Sequence, residues 1–555
     1  MKFNSDRIGV SRGWLWAAAL VGVCSCAGGG NDAGGPTSGA DDGGKGSGGS
    51  GFGSGPSSGS GGSTAKEGAG GASAGAPVIP EKEAMVDLEV PRAGARYVYA
   101  ANTRRDTVAV IDSTNLSIRT VEVGDKPSFL ATVPGQDIAL VINAGSDDVS
   151  IVRTTAAGSV VSTVPVASGP NRISVAPNGA YAIAWYDSRV DGGIGGANGS
   201  FQDVSLIRLV AGADTSVPLT VGFRPNAVAF SSDGLSAFVV TEDGVSTIRP
   251  ALLTVATVVP LVALGPVSAQ GATDVSITPD GKYALARKEG SGVVSLVDLA
   301  TGVAASADLG SPVTDLDLSP DGTMVVAVMR EVSKMVTLPL PLGFTSEAAR
   351  VVQTFGDEKV GSAVLAPNGL FALLYTTVGN VERVVVASIN GVVPPRAVQL
   401  RKSVRAVAIS PDSASAMVMH VKVAGDPAAK DIESDLKIDR SYGYSIVKLA
   451  TGFAKLQLTQ VEPGPLTFVP DSSLAFLLLR DDTQDLRRTQ QVNLLSFAVA
   501  DYVMSSPPLS LAVMSGTSKL FVSQVHPSGR LSFVDWTTGT VESVTGFELN
   551  GGIRE

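Results

Sequence analysis

The feature that most constrains this chain of 555 residues is a tight-turn sequence that returns at a nearly fixed spacing. Its clearest copies are TPDG at Thr278–Gly281, SPDG at Ser319–Gly322, and APNG at Ala176–Gly179 and Ala366–Gly369. Each copy predicts a turn, because Pro presets φ, the Asp or Asn side chain bonds to nearby backbone and Gly tolerates positive φ. With degenerate copies included, the second positions of the turns fall at 91, 134, 177, 232, 279, 320, 367, 411, 470 and 515. Seven of the nine intervals are 41–47 residues and the other two are 55 and 59, which indicates ten copies of one structural unit.

Unit five illustrates the pattern that the units share. Thr273–Thr278 leads into the turn, Lys282–Arg287 follows it, Gly292–Leu299 comes next and Val303–Leu309 closes the unit. Such short runs, rich in Val, Ile, Leu and Ala and separated by turn residues, are typical of strands. Four antiparallel strands in roughly 45 residues predict one blade of a β-propeller and therefore an all-β fold. The alternating pattern, with Gly and Pro at the boundaries, argues against a helical solenoid of similar period.

The first unit contains the runs YVYAA, TVAVID and SIRTVEV between Ala95 and Gly124, and Ala84–Val90 is predicted to supply its fourth strand. This unit closely resembles the YVTN-type propeller repeat, and the resemblance covers about residues 85–555. Members of that family are often secreted or surface proteins of bacteria and archaea. The wider group of WD40-like propellers to which it is similar includes the quinoprotein amine dehydrogenases and the lactonases.

The number of units departs from what the resemblance implies, because related propellers commonly have seven blades and ten units are present here. The ten units form either one ring or two. No Gly- or Pro-rich linker interrupts the array, so a single ten-bladed ring is favoured.

The N-terminus has the features of an export signal. A basic region precedes the apolar run Gly13–Val23, whose eleven residues are too few to span a bilayer core of about 30 Å. The sequence Val23-Cys24-Ser25-Cys26 resembles the end of a bacterial lipoprotein signal, in which a small residue precedes an acylated cysteine. The resemblance implies that residues 1–25 are removed together with Cys24 and that Cys26 carries the lipid. A plain secretory signal with incidental cysteines is the alternative.

Residues 26–77 are predicted to be a tether, because they are nearly all Gly, Ser, Ala and Asp and cannot bury a core. Such a linker reaches about 40 Å from a membrane. Residue 27 is Ala rather than Asp, which favours the outer over the inner membrane as the site of the anchor. The expected organisation is therefore a lipid anchor, a disordered Gly/Ser-rich tether and a propeller over residues 78–555, placed in the cell envelope on its periplasmic or surface side.

Composition excludes several classes of function. The net charge of −10 argues against a nucleic-acid-binding surface, which needs clustered Lys and Arg. Cys24 and Cys26 are the only cysteines, so the chain beyond them has no disulfide, cysteine-ligated zinc site or cysteine nucleophile. No cofactor is predicted.

Three long segments between the second and third strands of a unit are predicted to lie on one propeller face. They are Tyr186–Asp203 in unit three, Ala424–Tyr442 in unit eight and Asp481–Gln491 in unit nine. Elaborated loops on one face of a repeat scaffold commonly form a binding surface, and tolerated insertions are the alternative. The candidate binding-face residues are Asp187, Asp191, Asp203, Asp431, Asp435, Asp481, Asp482 and Asp485. Their spacing does not match an EF-hand, so solvated loop charge is favoured over a Ca²⁺ site.

The sequence favours a non-catalytic function over an enzymatic one. Its two histidines, His420 and His526, belong to no recognisable metal or catalytic motif. The first hypothesis is a lipid-anchored binding or scaffolding propeller that recognises a protein or polysaccharide through its loop face. The alternative is a lactonase-type hydrolase or a quinoprotein-like oxidoreductase with a site in the central channel. The charged residues that lie near blade ends and would serve such a site are Arg104, Arg105, Arg172, Arg224, Arg405 and Glu462.

Overall fold

The computed structural model describes residues 92–189, 200–259, 273–430, 432–547 and 553–554. The predicted signal peptide (residues 1–25), the tether (residues 26–77), Cys26 and the strand Ala84–Val90 lie outside these residues. Within them the chain forms ten antiparallel sheets in sequence order, which we number as blades 1–10. Short α-helices lie at Leu342–Thr345 and Ser434–Arg440, and 3₁₀ turns at Pro250–Leu252 and Glu347–Ala349.

Most blades contain four strands, joined as a meander. Blade 1 contains β1 (Tyr97–Asn102), β2 (Thr107–Asp112) and β3 (Ile118–Glu122). Blade 2 contains β4 (Pro127–Thr132), β5 (Ile138–Asn143), β6 (Asp148–Thr155) and β7 (Gly158–Pro165). Blade 3 contains β8 (Arg172–Val175), β9 (Tyr181–Trp185), β10 (Asp203–Arg208) and β11 (Thr215–Thr220). Blade 4 contains β12 (Ala227–Phe230), β13 (Ala237–Thr241), β14 (Gly244–Arg249) and β15 (Thr254–Val259). Blade 5 contains β16 (Thr273–Ile277), β17 (Tyr283–Lys288), β18 (Val293–Asp298) and β19 (Ala304–Asp308). Blade 6 contains β20 (Asp315–Leu318), β21 (Met324–Met329), β22 (Lys334–Pro339) and β23 (Val351–Thr354).

The remaining four blades follow the same order. Blade 7 contains β24 (Ser362–Leu365), β25 (Phe371–Tyr375), β26 (Arg383–Ser388) and β27 (Arg396–Gln399). Blade 8 contains β28 (Val404–Ile409), β29 (Ser415–His420), β30 (Tyr442–Lys448) and β31 (Ala454–Thr459). Blade 9 contains β32 (Pro463–Phe468), β33 (Leu474–Asp481), β34 (Leu486–Asn493) and β35 (Val499–Val503). Blade 10 contains β36 (Pro508–Val513), β37 (Lys519–Gln524), β38 (Arg530–Asp535), β39 (Val541–Thr545) and β40 (Ile553–Arg554).

The blades correspond to the units that the turn sequence predicts. The four runs expected in unit five are confirmed as the strands of blade 5. Blade 1 has three described strands, equivalent to the second, third and fourth strands of the other blades. Blade 10 has a fifth strand, β40, which pairs with β39 and was not predicted.

The propeller closes as a single ring. Nine hydrophobic clusters each join two blades that are consecutive in the chain, and a tenth joins blade 10 to blade 1. In that tenth cluster Phe521 and Phe533 of blade 10 pack with Val98 and Ile111 of blade 1. The N–H of Gly516 also donates to the carbonyl of Ala95 at 2.8 Å. The favoured single ten-bladed ring is therefore confirmed, and the alternative of two rings is wrong.

The recurring turn connects the first and second strands of a blade and also fits each blade to its neighbour. In the turn of blade 5 the hydroxyl of Thr278 donates to Asp280 at 2.7 Å and accepts the N–H of Tyr283 at 3.0 Å. Gly281 has φ of +71°, and a Cβ there would lie 2.3 Å from Cζ of Phe238, a buried residue of blade 4. This position therefore requires glycine for its backbone conformation and for the close approach of two blades.

Candidate binding face

The loops between second and third strands lie on the same face as the connections between blades. In blade 2 the N–H of Gly145, in such a loop, donates to the carbonyl of Asp125 at 2.9 Å, and Asp125 lies in the connection from blade 1. In blade 4 the N–H of Glu242 likewise donates to the carbonyl of Phe223 at 2.9 Å. We call this side of the ring the loop face. It contains the three segments that the sequence predicts to be elaborated.

In blade 3 the long connection is confirmed, because β9 ends at Trp185 and β10 begins at Asp203. Asp187 is buried and binds the guanidinium of Arg189 through both carboxylate oxygens, each at 2.9 Å. Asp203 accepts hydrogen bonds from Ser200 and Thr220, each at 2.8 Å. Asp191 lies outside the described residues. Both described aspartates therefore stabilise the loop that contains them.

An aromatic cluster lies beside this connection. Tyr186 meets Phe201 edge to face with ring centroids 5.6 Å apart, and the Phe201 and Phe223 centroids are 6.1 Å apart. The guanidinium of Arg224 lies 5.0 Å from the centroid of the Phe223 ring and pairs with Glu242 at 3.3 Å. Arg224, a candidate for a channel site, is therefore engaged at the loop face between blades 3 and 4.

The prediction of a long loop in blade 9 is wrong, because most of Asp481–Gln491 is strand. β33 and β34 form one long hairpin in which Asp481 pairs with Leu486, so only residues 482–485 form the turn. The charged residues that suggested a loop instead form local ion pairs and hydrogen bonds. Arg480 pairs with Asp482, Arg487 pairs with Asp485, and Asp481 accepts the N–H of Thr483 at 2.8 Å. These local pairs allow a highly charged sequence to continue the strands.

In blade 8 the insertion between β29 and β30 is long, as predicted, and contains the helix Ser434–Arg440. Its end is fixed by the buried Lys402, whose ammonium donates to the carbonyls of Ile438 at 2.7 Å and Asp439 at 2.9 Å. Asp435 lies exposed in the first turn of the helix, and Asp431 lies outside the described residues. The insertion is therefore a helical element attached to the blade through its last turn.

Basic side chains rather than these aspartates surround a cavity of about 250 Å³ beside the helix. Its lining includes Lys422, Lys437 and Arg440, together with Tyr442 and Pro427. The lining contains no Asp or Glu among the described residues. The Lys422 ammonium lies 4.4 Å from the centroid of the Tyr442 ring, and Nε of Arg440 is buried without a hydrogen-bond partner. The cavity lining thus includes three basic side chains.

His420 ends β29 and lies buried near Lys402. Its Nδ1–H donates to the carbonyl of Ser403 at 3.2 Å, so Nε2 is free to accept the hydroxyl hydrogen of Ser445 at 2.7 Å. Burial, reinforced by the nearby Lys402 charge, lowers the pKa of His420 to about 4. Burial also lowers the pKa of Lys402. A neutral His420 with both ring nitrogens bonded is a structural group that anchors the start of the insertion.

The six residues considered for a channel site belong to different blades and to the connections between them. Arg104 and Arg105 are exposed in a turn of blade 1. The buried Arg172 places its guanidinium 5.5 Å from the centroid of the Phe129 ring. Arg405 pairs with Glu462 at 3.0 Å and donates to the carbonyl of Pro463 at 3.2 Å, which ties blade 8 to blade 9. Arg405 and Glu462 therefore interact directly with each other.

Two further findings concern the described part of the chain. It contains no group of three or more His, Cys, Asp or Glu side chains placed to hold a metal ion. None of the helices described is long and apolar enough to cross a membrane.

Known proteins resemble this chain in structure only at low sequence identity. No protein-family model and no curated protein matches the chain. Among solved structures, a eukaryotic initiation factor is similar with a TM-score of 0.47 and 11% identity over 81% of this chain and 95% of that chain. The dihydro-heme d1 dehydrogenase NirN in complex with DHE has a TM-score of 0.41 and 12% identity over 83% and 80%. Kuenenia stuttgartiensis hydrazine synthase has a TM-score of 0.29 and 18% identity over 58% and 98%.

Sequence reasoning missed the basic residues of the blade 8 insertion because it singled out acidic ones. A usable signal was present, since Lys437 and Arg440 are three residues apart and fall on one side of a helix. Lys422 follows the preceding strand by two residues. The acidic residues of this segment outnumber its basic ones, yet the charged side chains that line the cavity among the described residues are basic.

Proposed function

We propose that this protein is a non-catalytic binding or scaffolding propeller of the cell envelope that engages its partner through the loop face. The supporting observation is the blade 8 insertion. Its helix is fastened to the blade by Lys402 and contributes Lys437 and Arg440 to the lining of a cavity. A tolerated insertion needs no such anchoring, whereas a binding site requires its groups to be held in place.

We assign the repeat to the YVTN type and the cell address to a lipoprotein, on the strength of the sequence. The first unit carries the repeat, and Val23-Cys24-Ser25-Cys26 carries the lipidation signal. A lipid on Cys26, followed by a Gly/Ser-rich tether, would hold the propeller about 40 Å from the membrane. The partner would then be a protein or polysaccharide of the envelope.

The lipid anchor is tested by metabolic labelling with a palmitate analogue. We expect the wild-type chain and the Cys24→Ala variant to be labelled, because Cys24 precedes the cleavage site. We expect Cys26→Ala to lose the label entirely. Persistent labelling of Cys26→Ala, or loss of label in Cys24→Ala alone, would show that the wrong cysteine is assigned.

The non-catalytic assignment is tested by a screen of the full chain against hydrolase and oxidoreductase substrates, lactones included. We expect no turnover above that of a heat-denatured sample. Turnover that is lost in the Arg405→Ala variant would instead favour an enzyme with a site near the inner ends of blades 8 and 9, where Arg405 pairs with Glu462.

A further inference from the structure

We propose that the blade 8 cavity is a binding site for a small oxyanion-bearing ligand, one that carries a carboxylate or a phosphate. This inference deepens the proposed function, because it rests on the loop face being a binding face. It concerns the cavity lined by Lys422, Lys437, Arg440 and Tyr442.

Uncompensated positive charge is the first argument. Among the described residues, no carboxylate pairs with Lys422, Lys437 or Arg440, although many other Lys and Arg side chains do form ion pairs. Three cations held around one cavity repel each other, and an oxyanion between them removes that repulsion. Guanidinium and ammonium groups are the donors that proteins use for carboxylate and phosphate oxygens.

The placement of Arg440 is the second argument. Its Nε is buried against Gly425 and has no hydrogen-bond partner, so the terminal nitrogens of the guanidinium are the donors left for a ligand. The side chain lies directly against Gly425, where a Cβ would be 2.5 Å from Nε and 2.8 Å from Cζ. Gly425 has φ of +126°, a conformation that other residues rarely adopt. The backbone at Gly425 is therefore shaped to admit the guanidinium.

The rigidity of the support is the third argument. The last helical turn carries Lys437 and Arg440 three residues apart, so both side chains lie on one side of the helix. Lys402 holds the carbonyls of Ile438 and Asp439, and the N–H of Val423 donates to the same Asp439 carbonyl at 2.9 Å. The ammonium of Lys402 also offsets the negative end of the helix, which would otherwise oppose an anion.

The size and lining of the cavity limit the ligand. A volume of about 250 Å³ lies just below the roughly 300 Å³ at which small-molecule sites begin. It fits a bare oxyanion with water or one acidic sugar ring, and not a drug-sized molecule. Tyr442 and Pro427 provide apolar surface, and Gln460 provides both a hydrogen-bond donor and an acceptor.

The test is isothermal titration calorimetry on the full-length chain at pH 7 and constant ionic strength, with inorganic phosphate, D-glucuronate and D-glucose as probes. We expect at least one oxyanion to bind and neutral glucose not to bind. Phosphate binding alone would indicate a free anion as the ligand, and tighter glucuronate binding would indicate an acid carried on a sugar. Failure of both oxyanions to bind at millimolar concentration, or equal binding of glucose, would overturn the proposal.

Two variants and a matched control locate the binding. Arg440→Gln removes one charge-assisted contact and is expected to weaken binding about ten- to hundredfold. Gly425→Ala leaves Arg440 in the sequence but displaces its guanidinium, so it should also weaken binding at least about tenfold. Lys430→Gln removes the same charge from an exposed position of the same insertion that does not line the cavity, and should change affinity less than about twofold. Equal losses in Arg440→Gln and Lys430→Gln would show a general charge effect and no site.

Failure here and failure of the proposed function give different results. A wild-type chain that is lipidated and shows no turnover, yet binds neither oxyanion, would contradict only the anion site. A chain that binds the oxyanion through Arg440 but catalyses a reaction, or lacks the lipid, would contradict only the proposed function.

Discussion

Phe533→Ala is expected to lower the free energy of unfolding of the whole propeller by about 3–5 kcal/mol, the usual cost of removing a buried aromatic ring. Phe533 is fully buried in the cluster that joins blade 10 to blade 1, and it lies directly opposite Phe521 on the neighbouring strand. The circle of ten blades has no free end once this cluster forms. Weakening the contact between blade 10 and blade 1 should therefore destabilise all the blades together. The strands of blades 1 and 10 should not unfold separately from the rest.

The measurement uses the two tryptophans of the propeller as separate probes in guanidinium denaturation of chains in which Trp14 and Trp16 are replaced by Phe. Trp185 lies in blade 3, and Trp536 follows the third strand of blade 10. With either Trp185 or Trp536 also replaced by Phe, each chain reports on one blade. We expect Phe533→Ala to lower both midpoints equally. A fall in the Trp536 midpoint alone would indicate an open array whose last blade unfolds independently.

Two matched substitutions complete the design. Phe476→Ala removes an equally buried ring from the interface of blades 9 and 10 and should cost a similar amount. Val541→Ala shortens a side chain that is 38% exposed on the same blade as Phe533, so it should cost no more than about 1 kcal/mol.

The blades could be predicted from sequence because their boundary signal is local. In the TPDG and SPDG copies of the turn, a Thr or Ser hydroxyl bonds to the Asp two residues later, as Ser319 does to Asp321 at 2.6 Å. Such a turn forms from its own residues, and it recurs wherever those residues recur. Ring closure has no comparable signal, because Ile111 and Phe533 are far apart in sequence and meet only when all the intervening blades have packed.

The errors at the loop face have a similar cause. In blade 9, Arg480 and Arg487 look like loop residues by composition, but each pairs with an aspartate two residues away and leaves the strand intact. In blade 8, the positive cavity arises because the conformation of Gly425 and the helix bring Arg440 and Lys422 together. Neither the conformation of one glycine nor the direction of a short helix can be read from alternating strand patterns.

Asp214→Asn is expected to lower the free energy of unfolding by about 3–5 kcal/mol, because it removes one partner of a buried ion pair. The carboxylate is 1% exposed and accepts two hydrogen bonds from Arg153, at 2.6 and 2.7 Å. It also accepts the Ser162 hydroxyl and the N–H of Val210. Arg153 and Ser162 belong to blade 2 and Asp214 to blade 3, so the substitution leaves a guanidinium without its counter-charge at an interface between blades.

The pH dependence of this cost has a definite sign. Burial alone would raise the pKa of Asp214, but the hydrogen bonds from Arg153 and Ser162 outweigh it and hold the pKa below its usual value of 3.8. The ionised carboxylate therefore contributes its full stabilisation above the unfolded-state pKa of about 3.9. That stabilisation is lost as pH falls through the lower pKa of the folded state. The difference between wild type and Asp214→Asn should be constant from pH 7 to pH 5 and shrink below about pH 4.

The control is Glu242→Gln, which removes the partner of Arg224 in an ion pair whose side chains are 49% and 41% exposed. Water already solvates both groups there, so the loss should be below about 1 kcal/mol and should fall further in high salt. An Asp214→Asn cost no larger than that of Glu242→Gln would mean that water reaches the Arg153 guanidinium. A cost that grows below pH 4 would mean that the folded protein raises the pKa of Asp214, contrary to the four hydrogen bonds it accepts.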